Sequence, residues 1–242
     1  MRILERVADA MQDEHEGLAR NLIAEDKLKE VVEAELNLLE VAQPWAVAAD
    51  LIWMLRERNF MLAYLGDRQY AFIHRTFLEY CCAKGLKHRL EKTAGFGLSD
   101  LLSVFRQRWR DDAWKEVLRL LCGLVGVEYA QGCILELLAF DKQSDGHEAG
   151  LLAAQCLQEI RETGQIRSVR NQVRQVLLLL TKFDVPYFYE PWEQPESKYV
   201  AEVRAQAVHE LARGWRDPDT RSWLRAVLEK APRHPGARLG DL

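Results

Sequence analysis

No stretch of this 242-residue sequence is apolar over anything like the roughly 20 residues that a membrane-spanning helix needs. The run Val176 to Leu180 is far too short to cross a bilayer. The start, MRILERVADAMQDEHEG, is charged throughout and is no secretory signal. Positive charge is not in excess either. A net charge of −4 and a pI near 5.9 give no general attraction to nucleic acid or to an anionic membrane. The cysteines (Cys81, Cys82, Cys122, Cys133, Cys156) lie in apolar helical contexts without metal-ligand spacing, which reads as buried, reduced thiols of a cytoplasmic protein.

Catalytic apparatus is missing as well. No G-x-x-x-x-G-K-[ST] loop occurs, and Gly95-Phe96-Gly97 lacks the lysine and the following helix start. Without an amide cradle, a phosphate lysine and a magnesium-holding hydroxyl, phosphoryl chemistry has no machinery in this chain. His209-Glu210 has no second ligand one helical turn away, so it is no zinc motif. His15 stands between Glu14 and Glu16 on an exposed acidic helix end. Cys81 and Cys82 show no adjacent base or oxyanion site. The expectation is a protein that is not an enzyme and that holds no metal and no cofactor of its own.

What is present is helical periodicity and enough apolar content, 48% of residues, to build one large or two small cores. Ile3, Leu4, Val7, Ala8 and Met11 make a first helical stripe that Gly17 ends. A second helix is expected from about Ala24 to Leu39, with Leu28, Val31, Val32, Leu36 and Leu39 inward. Pro44 suits the first turn of a third, with Trp45, Ala48, Ala49, Ile52 and Leu55 inward. The period then changes. Residues 60–65, a Gly66-Asp67 turn and residues 69–73 read as a hairpin, expected to be the only sheet. Seven further helical segments follow, broken only by Asp184 to Ser197, whose three prolines and four aromatics read as an ordered loop. Residues 202–228 read as a pair of amphipathic helices joined by an Asp-Pro turn, similar to a HEAT-type repeat. The tail from Pro232 should fray.

The most informative stretch is Tyr70 to Leu86, YAFIHRTFLEYCCAKGL. An alternating strand ends on Ile73, His74 stands where strand hands over to helix, and Phe77, Tyr80 and Cys81 follow at helical spacing. A histidine at that position can aim its ring beyond the helix N-terminus, a region that favours anions. It can equally be a capping or packing residue of the junction.

Phe72, His74, Phe77, Glu79 and Tyr80 together resemble the end of the winged-helix subdomain of NACHT-type signal-transduction NTPases. RWRDDAWKEVLRLLCGLVG (Arg108 to Gly126) is similar to the helical segment that follows in bacterial members. The resemblance covers the first 125 residues best. It implies that His74 approaches the β-phosphate of ADP in an assembled protein, with ATP or ADP held by a nucleotide-binding core in cis or in trans. That core is expected to precede the winged helix and is not in this sequence, which implies a split gene product, a truncated reading frame or a degenerate remnant.

The expected architecture is therefore mostly α: a winged-helix subdomain over 1–74, a helical domain over 75–183, a Pro/aromatic loop over 184–198, a HEAT-like pair over 199–231 and a tail over 232–242. The expected function is the regulatory and sensing part of a NACHT-type NTPase in bacterial defence or signalling, with a protein partner and no membrane. A stand-alone helical-repeat adaptor is the competing class. DNA binding is disfavoured: Trp45 to Asp50 holds no base-reading side chain, and residues 1–50 carry twelve acidic against five basic groups. Arg167, Arg170 and Arg174 fall on one helix side, as a phosphate or acidic-partner site or as a solvated face. Arg106, Arg108 and Arg110 lie close to Trp109 and Trp114 and can snorkel over them.

Overall fold

A computed structural model describes residues 2–13, 21–141, 147–161, 163–182, 195–215 and 218–230. Among these residues the protein is mostly helical, with one small antiparallel sheet. Helix α1 (Arg2–Asp13) buries Leu4, Val7, Ala8 and Met11, the i, i+3, i+4, i+7 pattern of a single inward stripe. Strand β1 (Ile23–Ala24) leads directly into α2 (Glu25–Leu38), which buries Leu28, Val32 and Leu36. Helix α3 (Pro44–Glu57) begins on its proline, preceded by Gln43 in the left-handed region at φ 54°.

Strands β2 (Leu62–Gly66) and β3 (Gln69–Phe72) form the expected hairpin. Its two loop residues, Asp67 and Arg68, both have positive φ (46° and 59°), the requirement of a type I′ connection. The sheet is larger than the sequence suggested. β1 pairs antiparallel with β3, Ile23 opposite Tyr70, giving the order β1-β3-β2. A two-residue strand carries no alternation to detect, so only its partner reveals it.

The later helices are α4 (Arg75–Lys92), α5 (Leu98–Arg108), α6 (Asp112–Leu124), α7 (Val127–Asp141), α8 (Glu148–Glu159), α9 (Arg167–Leu180), α10 (Pro195–Gly214) and α11 (Pro218–Lys230). A short 3-10 turn, Thr163–Ile166, leads into α9. Two starts are fixed by carboxylates. The Asp111 side chain accepts from the Ala113 amide at 3.1 Å, and Asp100 accepts from the Gly97 amide at 2.9 Å. From α4 on the helices pack next-but-one into two rows, α4, α6, α8 and α10 in one and α5, α7 and α9 in the other, and α1 packs on α4 at the end of the first. α6 and α8 approach closely at Gly123, where a Cβ would lie 3.0 Å from Glu159 Cβ. One continuous apolar core runs from Leu4 to Trp215.

Some expectations need correction. Leu39, at the end of α2, faces solvent, and in α3 Trp45 is 66% exposed and Ala49 faces solvent too, so the buried residues of α3 are Ala48, Ile52 and Leu55, with Val47 and Leu51 partly buried against the core. The residues at 195–198, placed in a loop by their proline content, open α10, because a proline at a first helical position breaks no hydrogen bond. The remainder of that loop, the tail, Gly17, and Arg216-Asp217 of the proposed turn lie outside the described residues.

Charge enters the core in paired form. Glu35 on α2 is 2% exposed and meets Arg2 Nε at 2.5 Å and Arg6 Nε at 3.3 Å. Glu5 is buried against His88 Nδ1 at 3.0 Å. Breaking one partner of such a pair leaves a buried charge uncompensated. These contacts tie α1 to α2 and to α4, and so seat the small sheet on the helical rows.

Candidate functional site

The junction between β3 and α4 is built from the backbone outward. The Asn21 side chain donates to Phe72 O at 2.8 Å and accepts from Phe72 N at 3.0 Å, standing in for a strand neighbour beside β1. The Ile73 amide donates to Met61 O at 3.1 Å, the last link across the hairpin. His74 follows as the N-cap of α4, in extended conformation (φ −118°, ψ 121°), and its carbonyl accepts from the Phe77 amide at 2.9 Å. Its side chain makes no capping hydrogen bond and is exposed.

The first turn of α4 contains no acidic residue, so no carboxylate competes for its amides or its dipole. Arg75 next door is tied to Glu79 at 2.9 Å. The imidazole thus lies at an uncapped helix N-terminus between two partly exposed apolar side chains, Ile73 and Phe77. Most of the other large exposed apolar groups among the described residues fall between residues 38 and 77, including Leu38, Trp45, Trp53, Phe60 and Leu65. The sequence signal for the exposed apolar groups of α3 was available in its composition, which is apolar on nearly every side.

The other candidates are placed elsewhere. Phe72, Cys81 and Cys82 are buried, and burial with nearby Glu5 pushes the Cys81 thiol up to about 11, away from thiolate chemistry. Cys122, Cys133 and Cys156 converge from α6, α7 and α8. Hydrogen bonding to its two neighbours and burial hold the Cys122 thiol well above its ordinary range. Among the described residues, no three His, Cys, Asp or Glu side chains are arranged to hold a metal ion. The Arg108 guanidinium lies 4.9 Å from the Trp114 ring and that of Arg110 4.7 Å from the Trp109 ring, whereas Arg106 pairs with Glu136 at 2.6 Å. No helix among the described residues is long and apolar enough to cross a membrane. Comparison with known proteins gave no matching family model, no matching curated relative and no matching solved structure.

Proposed function

We propose that this chain is a non-catalytic regulatory and sensing module of a NACHT-type signal-transduction NTPase, acting in bacterial defence or signalling. Its N-terminal lobe is read as a winged helix that closes over a nucleotide held by a separate NTPase core, with His74 directed at the β-phosphate of ADP. The observation that carries this reading is the exposed imidazole at the uncapped start of α4, flanked in the chain by the exposed side chains of Ile73 and Phe77. The order helix, strand, helix, helix, strand, strand along residues 2–72 supports the winged-helix part. The two rows of helices support a repeat-like, HEAT-type array behind it.

The test is retention of ADP by the cognate NTPase core after gel filtration with this chain. Retention should fall with His74→Ala, with no change in thermal midpoint. Equal retention with either chain removes the role given to His74. The same helical rows favour one second reading, an adaptor that binds a protein partner along the array. On that reading the partner still binds when the lobe face carries Trp45→Ser and Phe77→Ser.

A further inference from the structure

We infer that the exposed face of α3 pairs with the same face of a second copy of this chain, antiparallel and about a two-fold axis at Ala49. This pairing does not rest on the role given to His74. Trp45, Ala49 and Trp53 stand four residues apart, so they form one stripe along the helix, with the two tryptophans about 12 Å apart. Trp45 is 66% exposed and Trp53 50%, and Ala49 between them faces solvent. Bulk at both ends of a stripe and a methyl group in the middle make a saddle. A second helix can approach closely at the alanine, provided its own bulk falls at the two ends.

The stripe is its own complement. Turned about an axis at Ala49, each copy sets Trp45 against Trp53 of the other and Ala49 against Ala49, the reciprocal contact of an isologous dimer. Charge selects the antiparallel sense. Glu40 lies in the turn before α3 and Arg58 at its C-terminal cap; both are exposed, and neither makes an ion pair among the described residues. The Arg58 guanidinium lies 5.4 Å from the centre of the Trp53 ring, so this positive charge sits beside the stripe. An antiparallel pair brings the basic end of one helix to the Glu40 end of the other, with the helix dipoles opposed. A parallel pair would set Glu40 on Glu40 and Arg58 on Arg58.

Both ends of α3 carry further apolar groups. Leu38 and Leu39 precede it and Phe60 follows it, all exposed. Phe60 has a φ of 49°, in the left-handed region where a helix exit favours glycine, and it is 69% exposed, so it bears backbone strain with little packing in return. With the tryptophans and Met54 of α3, these side chains present on the order of 600 Å² in each copy, so a pair covers about 1,200 Å², the lower edge for a specific interface. A contact of that size dissociates at on the order of 10 μM. The dilute chain is therefore a monomer with α3 open, and a docked core and a second copy exclude each other.

Sedimentation equilibrium of the whole chain, from tenfold below to tenfold above that concentration, tests this. It should show a reversible monomer–dimer equilibrium and no larger species, because a two-fold contact closes on itself. Trp45→Ser combined with Trp53→Ser should weaken the pair at least tenfold and leave the thermal midpoint of the dilute monomer unchanged. Phe60→Gly should weaken it without lowering that midpoint, since the substitution relieves the strain. Arg58→Glu and Glu40→Arg should each weaken the pair several-fold, and the two together should restore it. Ala49→Cys should couple to its own copy on mild oxidation, because the native cysteines are buried. The inference is overturned by a chain that stays monomeric throughout, by a pair that survives the double tryptophan variant, or by a charge-swapped double variant that associates no better than either single one.

Discussion

Helix α6 buries Trp114, Val117, Leu118, Leu121 and Cys122 against its neighbours in the helical rows, whereas α3, of nearly the same length, buries Ala48, Ile52 and Leu55 and leaves Trp45, Trp53 and Met54 exposed. Both helices are rich in apolar residues. The difference lies in how many elements surround them. α6 is packed against α4, α5, α7 and α8, while the main neighbours of α3 among the described residues are α2 and β2. Covering about 200 Å² of apolar surface on α3 would release roughly 5 kcal/mol before the costs of association.

If that contrast is right, substitutions should divide by region. Leu118→Ala, in the fully buried face of α6, should cost about 3 kcal/mol in urea unfolding, the usual penalty for a cavity in a core that cannot collapse. Trp45→Ser should stay within about 0.5 kcal/mol by the same measurement, because a large exposed side chain has little native packing to lose. A Trp45→Ser loss as large as that of Leu118→Ala would break the comparison. Gly123→Ala probes the tightest approach of α6 to α8 and should cost about 2 kcal/mol, since Glu159 backbone as well as side chain must shift.

A smaller effect is expected where the lobe is stitched together. Asn21→Ala removes two hydrogen bonds to the Phe72 backbone and should cost about 1–2 kcal/mol. Amide exchange should quicken at the end of β3 in that variant and stay unchanged in α6 through α8.

The smallest effect is on pH dependence. His147 is buried beside Tyr199, whose hydroxyl lies 3.2 Å from His147 Nε2, and desolvation lowers the imidazole below its ordinary value of 6.5. The unfolded chain therefore binds the proton more readily, so stability is fully present above about pH 6.5 and declines as pH falls below it. The thermal midpoint should drop between pH 7.5 and 5.5, and His147→Gln should make that drop shallower.

How much of this was legible beforehand follows from what each signal depends on. Helices such as α6 and α9 could be bounded to within a residue or two because 3.6-residue periodicity and a capping Asp111 are local properties. The hairpin was visible from its change of period, and Gly66-Asp67 marked its turn, although the loop is Asp67-Arg68 and Gly66 sits at an irregularity in the β2–β3 register. β1 was not visible, since two residues held by β3 and an asparagine side chain have no period. Trp45 was assigned inward because its spacing from Ala48 and Ile52 fits an inner stripe; spacing alone does not say whether a partner exists for every part of a helix. His74 could be placed at the strand-to-helix handover, but its exposure could not. The contact of Arg170 with Gly214 and Trp215 depends on how the end of α10 returns across α9, which no local pattern encodes.

The central claim is that the open face of the N-terminal lobe is a docking surface for a nucleotide-carrying core, and hydrogen exchange on the assembled complex tests it most directly. Binding should slow exchange across α3, β2 and the β3–α4 junction around His74 and leave α5, α7 and α9 unaltered. Protection confined to the helical rows, with α3 and the junction exchanging as in the isolated chain, would contradict it.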